Sequence, residues 1–190
     1  YYLVISKDLV ENVNQIEIKH EIFHHHLKSY SFVKKNNGKF GESSIITNSL
    51  GFRDKSKKKV NLKTKNKIIL PMAIYTLSSD SKFALCIDNE RHYWVRQGYS
   101  YDGIYNHKKN KKIVEDDGIY LLDIDSKQVK RIINIADVVN NKPLSNMKNG
   151  AHYLEHIMIN PNNQRFVFLH RWKTDDGGIY TRLYTANIDG

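Results

Sequence analysis

The sequence predicts an all-β fold for residues 70–190, and two kinds of recurring hairpin are the observations that predict it. In the first kind, a turn cluster joins two apolar runs of strand length, as in residues 74–87 and again in residues 157–169. In the second kind, a strand ends in a polar turn, as in residues 118–126 and 183–190. The two kinds alternate twice in the same order, which indicates a repeated unit of short strands.

Both hairpins of the first kind are predicted to be antiparallel, and their tips are predicted at residues 79–80 and 161–162. A repeat of this kind is typical of radial or stacked β architectures, in which one unit cannot bury both of its faces alone. We therefore interpret residues 70–190 as partial β-propeller blades, in preference to a single β-sandwich with similar turns. Residues 99–112 are predicted to be irregular because their charge and glycine content oppose strand pairing.

Residues 1–69 form a lysine-rich segment for which we predict a different origin and a mixed or irregular structure. The whole chain has a formal net charge of +10, and the excess is uneven. Residues 1–69 hold 14 Lys and Arg against 6 Asp and Glu, whereas residues 70–190 hold 16 against 14. A change of composition of this size indicates two segments of different character.

The same composition argues against several classes of partner. The dense lysine run in residues 55–67 lacks the interleaved aromatic residues of a platform for single-stranded nucleic acid, so no nucleic-acid partner is predicted. The sequence contains no run of about 18 apolar residues, so no membrane partner is predicted. The single cysteine, Cys86, leaves no basis for an internal disulfide framework or a cysteine-based zinc site.

Residues 70–190 also resemble the propellers of the oligogalacturonate lyase and TolB-like group. The resemblance is carried by residues 152–161, HYLEHIMINP, which lead through a turn into residues 166–172, FVFLHRW. In those families a similar strand that runs from a histidine to a proline precedes a strand that ends in His-Glu-Gly and Trp. Here Arg171 stands in the place of that glutamate.

Three histidines, His152, His156 and His170, are the candidate metal ligands. The resemblance implies that they help to bind a divalent metal, with manganese as the expected ion. The residue types agree, because imidazole is a common ligand of divalent transition metals. Residues four apart in a strand share a face, so His152 and His156 can point the same way, and a hairpin is expected to bring His170 close to His156. The alternative is that each histidine lies at a strand end and bonds a backbone carbonyl.

Three further residues, Arg171, Arg96 and Trp172, are the candidate substrate-binding residues. In a metal-assisted lyase the metal would neutralise the uronate carboxylate, and a base would remove the proton from the adjacent carbon. An arginine can bind such a carboxylate through two nitrogens, and a tryptophan can stack on a sugar ring or pack inside a blade. The positive charge of Arg171 lowers the affinity for a metal unless a carboxylate such as Glu155 compensates for it.

Residues 20–70 resemble the segment that precedes the catalytic block of bacterial SGNH-type hydrolases. This resemblance is carried by FHHHLK at residues 23–28 and by TNSLGFRDK at residues 47–55. In those hydrolases a strand like residues 67–70 runs directly into Gly-Asp-Ser, whose serine is the nucleophile. Here the strand continues into Pro71, and Gly-Asp-Ser occurs nowhere in the sequence, so hydrolase activity lacks its nucleophile.

The function expected from these patterns is that of a β-propeller module related to carbohydrate-active proteins, in its most specific form a metal-assisted relative of the oligogalacturonate lyases. The alternative is a non-catalytic propeller that binds a protein or glycan partner, since a fold does not fix a function. The expected partner is thus an oligosaccharide or a protein. No catalytic residue can be named from the sequence.

Overall fold

The computed structural model describes residues 31–36, 39–48, 57–61, 67–96 and 110–190. Most of the predicted irregular region, residues 99–112, lies outside the described residues, as do the FHHHLK motif and most of the TNSLGFRDK motif that carry the hydrolase resemblance. Within the described residues, no helix is both long enough and apolar enough to cross a membrane.

The described part of the lysine-rich segment is an antiparallel sheet of four strands in the order β1-β2-β3-β4. The strands are β1 (Ser31–Asn36), β2 (Lys39–Asn48), β3 (Lys57–Asn61) and β4 (Lys67–Leu70). The prediction of a mixed or irregular structure is therefore wrong for these residues. The last strand also crosses the predicted boundary between residues 69 and 70, and its terminal residue, Leu70, is buried beside Ile74 in the core of the next unit.

The rest of the described chain forms two further antiparallel sheets. The first unit has strands in the order β5-β6-β7-β8, and the second unit has the order β11-β10-β9. The strands are β5 (Thr76–Leu77), β6 (Phe83–Ile87), β7 (Gly118–Asp123), β8 (Val129–Asn134), β9 (Ala151–Ile159), β10 (Arg165–Lys173) and β11 (Ile179–Asn187). Both predicted hairpins are confirmed, since β5 pairs with β6 and β9 pairs with β10, each antiparallel.

Two short helices interrupt the strands, and the sequence analysis did not predict them. Helix α1 (Asn89–Val95) follows β6, and its first amides are capped by the carboxylate of Asp88, which accepts from the Glu90 amide at 2.8 Å. Helix α2 (Ile135–Asn140) follows β8 and is capped in the same way by Asn134, and a 3-10 turn (Ser145–Met147) leads into β9.

The two units repeat the same turn, bond for bond. In the first unit the Ser78 amide donates to the Phe83 carbonyl at 2.9 Å, and in the second the Asn160 amide donates to the Arg165 carbonyl at 2.9 Å. The third residues after Ser78 and Asn160 both have a left-handed backbone, with φ 59° and 61°. In both units the turn also bonds the end of the third strand in the same way. The Ile124 amide donates to the Lys82 carbonyl, and the Ile188 amide donates to the Gln164 carbonyl, both at 2.9 Å. These bonds align residues 78–83 with 160–165 and residue 124 with 188.

The equivalent turns also touch each other. The Ser79 amide donates to Oδ1 of Asn163 at 2.9 Å, and the Ser79 hydroxyl donates to the Pro161 carbonyl at 3.2 Å. The matched parts of the two units therefore lie side by side at the same end of the molecule.

Each unit has two faces, which we name the A face and the B face. The A face of the first unit carries Ala84, Cys86, Leu122 and Ile124, and that of the second unit carries the equivalent Phe166, Phe168, Ala186 and Ile188. The B face of the first unit carries Leu85, Ile87 and Ile119, and that of the second unit carries the equivalent Val167, Leu169 and Leu183. The main core forms where the A face of the second unit packs on the B face of the first.

These features are those of an antiparallel, strand-rich fold, as predicted. Among the residues that the structure describes there is no closed ring of blades. The finer assignment to a β-propeller is taken up under the proposed function.

Candidate functional site

Strand β9 contains a bulge that sets the geometry of the site. Its pairing with β10 shifts register between Val167 and Leu169, and His156 has the left-handed φ of 54°. Its amide bonds the hydroxyl oxygen of Tyr75 at 2.8 Å. The extra residue shifts the alternation of the strand, so that Glu155 and Met158, three residues apart, pair with Leu169 and Val167 of one face. Glu155 is buried, and the His156 side chain is 50 % exposed.

The carboxylate of Glu155 is 1 % exposed and lies among positively charged or chargeable groups. Its Oε2 lies 3.0 Å from Nε2 of His92, and its Oε1 lies 2.7 Å from Nη1 of Arg171 and 3.4 Å from Nδ1 of His156. The contact with Arg171 is an ion pair rather than an aligned hydrogen bond. Burial acts to raise the pKa of Glu155, but the His92 hydrogen bond and the surrounding positive charges outweigh it and place that pKa below its usual value. Glu155 is therefore ionised at neutral pH.

Helix α1 and the strands of the second unit complete this site. The His92 ring, carried by α1, meets the Tyr153 ring edge-on at a centroid distance of 5.9 Å. Burial and the negative charge of Glu155 raise the pKa of Tyr153, while the positive charges of Arg96 and Arg171 act against that rise. We call the resulting group the glutamate cluster, with the members Glu155, His92, His156, Tyr153, Arg171 and Arg96.

A second polar group, the histidine pair, lies on the other face of the same sheet. His152 Nδ1 lies 2.9 Å from His170 Nε2, and the two rings are stacked at 5.1 Å. His152 Nε2 faces the Met147 carbonyl at 2.9 Å, and a carbonyl can only accept. His152 is therefore protonated on Nε2 and accepts on Nδ1 from His170, so both rings are neutral.

Burial, together with the neighbouring His152 and Arg182, lowers the pKa of His170 to about 3. Burial also lowers the pKa of His152, against the opposite effect of the Met147 carbonyl. No hydrogen-bond partner for His170 Nδ1 is found among the described residues. The pair thus sits uncharged in the apolar core of the second unit.

The predicted metal ligands are divided between these two groups. His170 lies opposite Leu154 and bonds His152, whereas no hydrogen bond or ring contact joins it to His156 within the described part of the chain. The expectation that His170 would lie close to His156 assumed a strand that starts near Ile157, but β9 begins at Ala151 and therefore brings the earlier histidine opposite His170. In the described ranges no cluster of three or more His, Cys, Asp or Glu side chains suits a metal ion.

The predicted substrate-binding residues also separate. Trp172 is 1 % exposed and stacks on His152 and Tyr180, a position that favours its packing role over sugar stacking. Arg171 and Arg96 both act on Tyr153 and so belong to one site. Glu155, the carboxylate named in the sequence analysis as one that could compensate the Arg171 charge, forms an ion pair with Arg171.

Sequence analysis missed two members of the glutamate cluster, His92 and Tyr153. The sequence does contain a signal for the helix that carries His92. Asp88, followed by Asn89 and Glu90 after an apolar strand, is a typical helix start. That helix would have placed His92 next to a strand of the core. Comparisons of the chain with protein-family models, with curated proteins and with solved structures returned no match.

Proposed function

We propose that residues 70–190 are blades of a β-propeller module related to carbohydrate-active proteins, and that the module binds an anionic glycan at the glutamate cluster. The observation that carries the fold part is the repeat of one turn, with identical backbone bonds, in two consecutive antiparallel units. Its two copies touch through Ser79 and Pro161, which are equivalent positions of the two units. A four-stranded meander such as β5 to β8 is the size of a propeller blade.

The guanidinium group of Arg171 supports an anionic ligand. Glu155 neutralises one positive charge, and it contacts Arg171 through Nη1 only. A guanidinium group has five N–H donors in a planar fork, so Arg171 keeps donors for the carboxylate of a uronic acid. Arg96 acts electrostatically on Tyr153, the tyrosine of the same cluster.

The access to this site also fits a ligand that approaches from outside. Burial decreases from Glu155 at the bottom of the site to Arg171, whose side chain is 19 % exposed, and then to the half-exposed His156. Glu155 thus holds the guanidinium in place from below, while the outer side of the site faces solvent. Preorganisation of this kind reduces the entropy that a binding site loses when the ligand arrives.

A second candidate is the metal-assisted lyase relative that the sequence resemblance implies. The contact that favours it is the carboxylate–imidazole pair of Glu155 and His92, at 3.0 Å, beside two arginines. The low pKa of Glu155 makes it a weak base, however, and the histidine pair offers a metal no third donor within the described residues. Binding without catalysis is therefore the function that the geometry supports better.

The test is a titration of the full chain with trigalacturonate and, in parallel, with the neutral galactose trimer. The acidic trimer should bind more tightly, and added salt should weaken its binding because the attraction is between charges. Arg171→Lys and Arg96→Lys keep the charge but remove the fork, and each should weaken binding about tenfold. Arg131→Lys, an exposed arginine on β8, is the matched control and should have no effect.

Equal affinity for the two trimers, or binding that neither substitution changes, would contradict the proposal. Adding manganese to the same mixtures distinguishes the second candidate. A lyase would generate an unsaturated uronate, which is followed by its ultraviolet absorbance, and a binding module would generate none.

A further inference from the structure

The B face of the second unit exposes a continuous apolar patch. Leu183 is 68 % exposed and Met158 is 65 % exposed. Between them lie the half-buried Val167, which pairs with Met158, and Leu169, which pairs with Leu183. Isolated exposed apolar residues are ordinary, but four that are neighbours on one sheet face indicate an interaction surface.

The same face of the first unit shows what such a surface packs against. Its equivalent residues, Leu85, Ile87 and Ile119, are buried in the main core. They are covered by Phe166 and Phe168 from the A face of the second unit. The chain therefore already contains one interface in which an A face packs on a B face.

The two B faces correspond residue by residue. Ile119 pairs with Ile87 in the first unit, and Leu183 pairs with Leu169 in the second. Because the shared turn aligns Ile87 with Leu169, Leu183 occupies the place of Ile119, one unit further along. An interface between unlike faces leaves a free B face at one end, so it can be repeated in the same direction, either as an open stack or until a ring closes.

We propose that the B face of the second unit is a docking surface for the A face of another β unit of the same kind. A second copy of this chain offers no uncovered A face to this surface. The A face of its first unit is covered by Leu70 and Ile74, and the A face of its second unit is buried in its main core. The occupant is thus a further blade-like unit whose apolar A face is still uncovered. The inference shares the arrangement of blades with the proposed function, and its surface adjoins the glutamate cluster, because Leu169 lies opposite Glu155 on β9.

The test extends the full chain by one unit. Residues 127–190 are appended directly after Gly190, because the shared bonds align residue 124 with 188 and hence make residue 127 the natural continuation. The appended segment supplies a copy of β8, the connection through α2, and a third unit with its own A face. Leu183→Cys in the original second unit then reports on the docking surface through its rate of reaction with a thiol reagent.

In the unextended chain the thiol at position 183 should react fast, and in the extended chain about tenfold more slowly, because docking covers it. Phe166→Asp with Phe168→Asp in the appended copy alone should restore the fast reaction. A thiol at the exposed turn position, introduced by Ser126→Cys, is the matched control and should react equally fast in both chains.

Fast reaction at position 183 in the extended chain overturns the proposal. Hydrogen exchange of the appended strands is measured at the same time. An appended unit that stays unprotected counts against the proposal too, since docking on this face is what should fold it. Slow reaction in the unextended chain that disappears on dilution identifies a second copy as the occupant and also overturns it. Glycan binding by the unextended chain is measured separately and does not depend on any of these results.

Discussion

The glutamate cluster and the histidine pair lie on opposite faces of the same two strands, β9 and β10, and burial has opposite consequences in them. Glu155 is buried beside Arg171 and His92, and it keeps its charge because opposite charges and a hydrogen bond replace the lost water. His170 is buried beside another imidazole, and it stays neutral because nothing compensates a proton there. The partners of a buried group, rather than burial itself, decide its charge.

The largest expected effect comes from removing the negative charge of Glu155 from the glutamate cluster. Glu155→Gln keeps the volume of the side chain but leaves Arg171 without its carboxylate. We expect the free energy of unfolding to fall by about 3 kcal/mol, because a broken buried ion pair leaves an uncompensated charge. Urea unfolding of the full chain measures it, with Glu115→Gln on the exposed surface as the matched control.

A loss no larger than that of the Glu115 control would show that the Arg171 side chain turns to solvent. The cluster would then be a weak surface pair, and Arg171 would not be held in place for the proposed ligand.

The second test concerns pH, and the two groups respond in different windows. The folded-state pKa of His170 is lowered, so below the unfolded value of 6.5 the unfolded chain binds more protons than the folded chain. The contribution of His170 to the free energy of unfolding is therefore fully present above pH 6.5, and it is lost as pH falls from there towards about 3. Glu155 has a lowered pKa as well, and its contribution is lost only below its unfolded value of 4.5.

Between pH 6.5 and 4.5 the loss should therefore come from the histidine pair and amount to about 2 kcal/mol. Denaturant unfolding of the full chain at a series of pH values measures it. His170→Phe removes the titrating ring and should flatten the curve in that window, whereas Glu155→Gln should flatten it below pH 4.5. A slope in the upper window that His170→Phe leaves unchanged would assign the acid loss to other groups.

The sequence predicts a structural feature well when the residues that form it are close together in the chain. The hairpin turns were predictable because the residues that form them, such as Asn160 with its side chain on the Arg165 amide, are neighbours in the chain. The pairing of His152 with His170 required the start of β9, which the apolar pattern placed six residues too late, at Ile157 instead of Ala151. The glutamate cluster was less accessible still, because it combines a helix residue, His92, with a bulge that no residue type in the strand announces.

The bulge itself gives the smallest and most local test, because it sets the register that pairs Glu155 with Leu169. A left-handed backbone at His156, with φ 54°, is unfavourable for a residue with a Cβ and costs glycine nothing. His156→Gly and His156→Ala both remove the imidazole and its contact with Glu155, so their difference isolates the backbone. We expect the glycine variant to be more stable than the alanine variant by about 1 kcal/mol in urea unfolding. Met158→Gly against Met158→Ala, at an exposed strand position without this strain, should show the reverse order. Equal stability of the two His156 variants would mean that the strand can lose the bulge, and then Glu155 would no longer be held against His92 and Arg171.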